Sequence, residues 1–236
     1  MNQTLLKQCV AEFIGTFTLI FIGVGAIYNL GAVPGGLLGI ALAHGLAIAV
    51  MVSATGGISG GHLNPAVTFG LFVGGKIDFK GTVAYWVAQL AGATAAGFLC
   101  VVLLGTAAVA GGTPDIGIVN DSSLPPLTGS VTMAVTFWQA VIIEAVLTFF
   151  LVFVVYGTAV YMHAPKIGGL AIGLTITMGI LFGGPLTGGA INPARTFGPA
   201  LASGHWNNHI VYWIGPMLGG ALAGLVYGRF LIKEKD

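Results

Sequence analysis

Charge is what this chain lacks most. Of its 236 residues only 6% are Asp, Glu, Lys or Arg, while 56% are hydrophobic. Soluble domains are about a quarter charged, so this composition cannot cover a water-facing surface and implies an integral membrane protein. Cysteine is also scarce. Cys9 and Cys100 both sit in or beside apolar runs, which excludes a disulfide framework or a thiolate metal site. The five histidines lack metal-ligand spacing, so no metal and no cofactor is expected. The net charge is +1 with no basic patch, which gives nucleic acid nothing to bind. A basic leader followed by a small-residue cleavage site is missing, so the first apolar stretch reads as a retained span. Neither a Ser/His pair on neighbouring turns nor an HExxH segment occurs, and no enzyme activity is expected.

What is present is hydrophobic runs long enough to cross a bilayer, which takes about 20 residues each. Six are expected, over residues 9–28, 37–55, 82–104, 132–160, 168–182 and 209–231. Basic residues then orient them. Lys7, Lys76, Lys80, Lys166, Arg229, Lys233 and Lys235 fall on one side when both termini are cytoplasmic, and the outer segments 29–36 and 106–131 contain neither lysine nor arginine. The outer loop 106–131 carries a formal glycosylation sequon at Asn120-Asp121-Ser122, read as ordinary polar loop. Short tails favour a plasma-membrane location.

The second presence is a duplication. Ile58 to Gly70 reads ISGGHLNPAVTFG and Leu186 to Gly198 reads LTGGAINPARTFG, with eight of thirteen positions identical. Asparagine is a strong N-cap and proline is favoured at the first helical position, so Asn64-Pro65-Ala66 and Asn192-Pro193-Ala194 each start a helix. The apolar segment after each is too short to span. Three spans separate the two, so they enter from opposite faces and meet at mid-membrane. The expected fold is therefore an all-α integral membrane protein: six transmembrane helices plus two re-entrant half-helices in an inverted repeat. It is one domain over 1–236, with repeats at about 1–105 and 132–236 joined by the loop 106–131. Glu12 in AEFIGTF and Glu144 in IEAVLTF mark corresponding places in the two repeats. They are expected to accept hydrogen bonds from the N–H groups of the re-entrant loops; the rival role is a proton relay. Arg195 is a charge at membrane depth where the first repeat has Val67, which suggests a single charged constriction. His62 is expected to face the inner half of the passage.

With six spans, two NPA boxes, the following Arg195 and a glutamate in the first and fourth spans, the chain closely resembles the aquaporin (major intrinsic protein) family over nearly its whole length. The resemblance implies a homotetramer with one pore per subunit, passing water and small neutral solutes while excluding protons. It implies pore-lining carbonyls at Gly60, Gly61, His62 and Leu63 and at Gly188, Gly189, Ala190 and Ile191. It also implies a filter of His44, Ile180, Gly189 and Arg195. That set departs from the strict water pattern, in which Phe and His stand at the first two positions, and is similar to some plant vacuolar members. Ammonia is accordingly expected to pass with water. A glycerol facilitator is the alternative, though Thr196 stands where the glycerol branch resembles Asp.

Overall fold

The computed structural model describes residues 3–119, 133–161, 163, 165 and 167–232. The sequon at Asn120 and the basic residues Lys166, Lys233 and Lys235 lie outside the described residues. Nine α-helices occur among the described residues: α1 Gln3–Leu30, α2 Gly36–Ser59, α3 Pro65–Val73, α4 Phe79–Leu104, α5 Thr106–Gly112, α6 Phe137–Val155, α7 Gly168–Thr187, α8 Pro193–Ser203 and α9 Val211–Ala223. Two of them run on as π-helix, α6 through Tyr156–Val160 and α9 through Gly224–Leu231. With these extensions, six are long and apolar enough to cross a membrane, as the sequence led us to expect. Their outward faces are apolar: Val102 is 79% and Phe230 73% exposed, side chains suited to lipid or to another apolar surface and not to water.

Local chemistry sets the helix ends. Asp78 caps α4, its carboxylate accepting from Gly81 N–H at 2.7 Å. Thr136 and Gln139 form a reciprocal capping box at the start of α6. Two expectations need correction. The fifth span, expected over 168–182, runs on: α7 continues to Thr187 with Pro185 inside it. An early end would leave backbone groups unpaired at membrane depth, and a late proline disturbs only the last turn. The outer segment, read as ordinary polar loop in an all-α fold, also carries structure: α5 docks on α1 and α8, and Ile118–Val119 pairs with Met133–Ala134 as a minimal two-stranded ribbon.

Within the first repeat α1 packs on α2 and α4; within the second α6 packs on α7 and α9. The short helices cross over, α3 packing on α9 and α8 on α4, while α2 lies along α7. Small residues make this possible. A Cβ on Gly219 would strike the Ala145 carbonyl of α6, and one on Gly220 the Ala66 carbonyl of α3 at 2.5 Å, so one helix lies close to both neighbours.

Candidate functional site: a lined passage between the repeats

α2 and α7 both end in a left-handed glycine, after which the chain turns in. In the first repeat Gly60, Gly61 and Leu63 have φ of 88, 62 and 53°; in the second Gly188, Gly189 and Ile191 have 78, 53 and 57°. Glycine suits such φ values, whereas a leucine or isoleucine there costs about 1–3 kcal/mol and needs support. Glu12 and Glu144 supply it. Glu12 Oε1 accepts from Ser59 Oγ at 2.6 Å and His62 N–H at 2.9 Å, and Oε2 from Leu63 N–H at 2.6 Å and Gln89 Nε2 at 2.7 Å. Glu144 repeats the pattern: Oε1 accepts from Thr187 Oγ1 at 2.7 Å and Ala190 N–H at 2.9 Å, Oε2 from Ile191 N–H at 2.6 Å. Both carboxylates are completely buried.

Supporting groups that sequence reasoning missed complete the parallel. Tyr85 donates to the Ser59 carbonyl and Tyr212 to the Thr187 carbonyl, each at 2.8 Å. Ser59 and Thr187 in turn accept from Gly61 and Gly189 N–H. A signal was available: Tyr85-Trp86 and Tyr212-Trp213 are equivalent dipeptides, one in the last span of each repeat.

The two half-helices begin against each other. Asn64 Oδ1 caps α3 through Ala66 N–H at 2.8 Å, and Asn192 Oδ1 caps α8 through Ala194 N–H at 2.9 Å. Each amide then reaches into the opposite loop, Asn64 Nδ2 donating to the Ile191 carbonyl at 2.8 Å and Asn192 Nδ2 to the Leu63 carbonyl at 2.9 Å. Both asparagines line a narrow lumen in which a water centre has about 20 Å³ of free space. Its wall is otherwise mostly aliphatic, with Gly61, His62, Ala190, His44, Ile180 and Arg195 on it. Of the eight residues named for their carbonyls, Gly61, His62 and Ala190 face this lumen. The Leu63 and Ile191 carbonyls instead carry the asparagine amides. Gly189 packs toward α7, its Cβ position 3.2 Å from Ile180 Cα.

At one level of the lumen, His44 of α2 meets Arg195 in the first turn of α8. His44 Nδ1 lies 2.8 Å from the Ile40 carbonyl, and Nε2 lies 3.3 Å from an Arg195 terminal nitrogen. A carbonyl only accepts and a guanidinium only donates. His44 is thus the neutral Nδ1–H tautomer with its Nε2 lone pair committed to Arg195. Arg195 Nε and Nη1 are buried with no protein partner. His62 donates from Nδ1 to Thr68 Oγ1 at 3.1 Å, since that hydroxyl already gives its proton to the Asn64 carbonyl. Its ring stands edge-on to Tyr85.

Outside the passage the outer loop is latched. Asp115 accepts from Asn208 at 2.9 Å, Asn207 at 3.2 Å and His205 Nε2 at 3.0 Å, and Gly117 N–H donates to the Leu186 carbonyl. Burial alone would raise the Asp115 carboxyl; the hydrogen bonds from Asn208, Ile116 N–H, Asn207 and His205 outweigh it and hold it below the usual carboxylate range. Burial pushes the His209 imidazole down, which suits its Nε2 accepting from Trp213.

A helical bundle with a lined passage through its middle defines a membrane channel. Comparison with known proteins makes the class specific. The major intrinsic protein profile matches residues 1–227. Aquaporin TIP2-1 of Zea mays is 46% identical over 241 residues, covering 98% of this chain and 90% of its own length. Aquaporin TIP2-1 of Arabidopsis thaliana is 43% identical with the same coverage. The solved aquaglyceroporin from Plasmodium falciparum superposes with a TM-score of 0.79 at 25% identity, over 96% of this chain and 97% of that one. The chain belongs to the aquaporin, or major intrinsic protein, family.

Proposed function

We propose that this chain is a passive water channel that excludes protons and ions and lets ammonia through with the water. The reading rests on one observation above the rest: the reciprocal Asn64–Ile191 and Asn192–Leu63 bonds hold two helix N-termini together beside the lumen. Each asparagine amide has two hydrogens, and the opposite carbonyl takes one. The second remains for a water in the lumen. A water accepting from both asparagines has its oxygen fixed and its hydrogens turned outward, toward either mouth. It cannot pass a proton along the file. Each helix N-terminus also carries roughly half a positive charge, and the pair repels cations, hydronium included. Arg195 adds a full charge at the constriction.

Ammonia follows from the constriction of His44, Ile180 and Arg195, with Gly189 packed beside Ile180. Ile180 is apolar, Gly189 has no side chain, and the His44 lone pair is occupied by Arg195. The wall therefore offers donors to a solute that accepts, which water and ammonia both do. Glycerol is the second reading, supported by the likeness to an aquaglyceroporin; the relatives called aquaporins stand closer, at 43–46% identity against 25%. We read the chain as one channel domain of two repeats, about 1–105 and 132–236. We take it to assemble as a homotetramer with both termini cytoplasmic. The contact of Arg229 Nε with the Val73 carbonyl, at 2.7 Å, supports that orientation by joining the end of α9 to the lysine-bearing α3–α4 turn. A plasma-membrane location gains no support from the plant TIP relatives.

Stopped-flow light scattering on proteoliposomes tests the whole reading. Fast water flux is expected, with ammonia flux above the lipid background and little glycerol flux. Arg195→Val is expected to keep water flux and admit charged solutes, and His44→Phe to reduce ammonia flux more than water flux. Water flux at the lipid background would sink the proposal; water without ammonia would sink its second half.

A further inference from the structure

The constriction depends on a residue outside the proposed filter. His44 is held at both ring nitrogens, by the Ile40 carbonyl and by Arg195, so its ring has one seat. That seat lies against α1. A Cβ built on Gly23 would stand 2.9 Å from His44 Cδ2, 3.0 Å from Cε1 and closer still to Nε2, the very atom that accepts from Arg195. Carbon atoms prefer about 3.5–4.0 Å, so the ring must shift by roughly half an ångström or more. The crevice behind it, between Leu19, Ile20, Val24 and Gly112, has no room even for a water molecule and cannot take the ring. The remaining direction is into the lumen.

We propose that Gly23 is the positioning residue for the constriction: the space left by its missing side chain seats His44, keeps the His44–Arg195 bond and thereby sets the aperture. This rests on the reading of His44 and Arg195 as the constriction. A methyl group at position 23 moves the ring inward and separates Nε2 from the guanidinium. It narrows the passage without placing any new atom on its wall.

The same helix supplies a control. A Cβ on Gly25 would meet nothing within 4 Å. The test reconstitutes the full chain as wild type, Gly23→Ala, Gly25→Ala, His44→Ala and the Gly23→Ala/His44→Ala pair, and measures water and ammonia flux per incorporated protein. Gly23→Ala is expected to lower water flux about tenfold, the effect of one methyl group in a snug site, and ammonia flux at least as much. Gly25→Ala should match wild type. With His44 already cut to alanine, adding Gly23→Ala should change flux by less than about twofold, because the ring it displaces is gone. Wild-type flux in Gly23→Ala, or the same loss in both backgrounds, would overturn the inference. If Gly23→Ala does not give monodisperse protein, recovery in the double variant supports the proposal, and failure of both while Gly25→Ala folds refutes it. Wild type without ammonia flux would count against the ammonia reading alone, since the water arm still decides on Gly23.

Discussion

Glu144 accepts three hydrogen bonds in a site with no access to water, and an amide cannot replace it. In Glu144→Gln, an NH₂ group would face the Ile191 or Ala190 N–H. One buried donor left without an acceptor costs about 1–3 kcal/mol. The expected result is a lower yield of monodisperse protein and a lower unfolding temperature, with water flux per folded molecule close to wild type. Uphill solute uptake driven by a pH gradient in the wild type, abolished by this change, would instead make the glutamates a proton relay. The two carboxylates were legible because a charge in an apolar run is rare and each repeat has one. Tyr85 and Tyr212 could have been found from their matching Tyr-Trp dipeptides, whereas Ser59 and Thr187 could not, because Ser and Thr are common in spans and only contact reveals which of them reach a carboxylate.

At the scale of elements, the half-helices were the most readable part of the chain. Asn-Pro at a helix start combines a cap with a locked first φ, and the structure begins α3 and α8 at Pro65 and Pro193. What the pattern did not reveal is that each asparagine also spans to the other loop. Asn192→Ala is accordingly expected to cost more than the roughly 1 kcal/mol of a lost cap, since the Leu63 carbonyl loses its donor as well. Thermal unfolding in detergent against the wild type measures this; a loss of about 1 kcal/mol or less would show that the cross-bond contributes nothing. α5 was missed for a physical reason. Seven residues of Thr, Ala, Val and Gly are too few to show a period or to form a stable helix alone. That helix exists because α1 and α8 give it a surface to dock on.

For the whole molecule, the outer latch predicts a pH response. The Asp115 carboxyl is held below its ordinary range, so its contribution is present above the unfolded value of about 3.9 and is lost as pH falls through the lower folded value. Hydrogen exchange across residues 113–119, corrected for intrinsic rate, is expected to stay flat from pH 7 to 5 and to rise only in stronger acid. Asp115→Ala should raise it between pH 5 and 7 and make no further difference once the wild-type latch is lost in acid, and a wild-type rise already at pH 5 would contradict the latch. The thiols give a second prediction at this scale. Cys9 packs against the Ala84 carbonyl and Cys100 is buried, and neither lines the lumen. Mercurials should leave water flux nearly unchanged; strong block relieved by Cys9→Ser or Cys100→Ser would contradict this geometry. The inverted order of the repeats could be read from lysine placement, but the exchange of α3 onto α9 and α8 onto α4 could not, because the glycines that permit it do not name their partners. The exchange of amide and carbonyl between the loops has a consequence for biosynthesis. When the ribosome has made the first repeat, Asn64 has a cap to form but no Ile191 to reach, and Leu63 has its glutamate but no Asn192. The first half of the channel waits unfinished in the membrane until the last third of the chain is made.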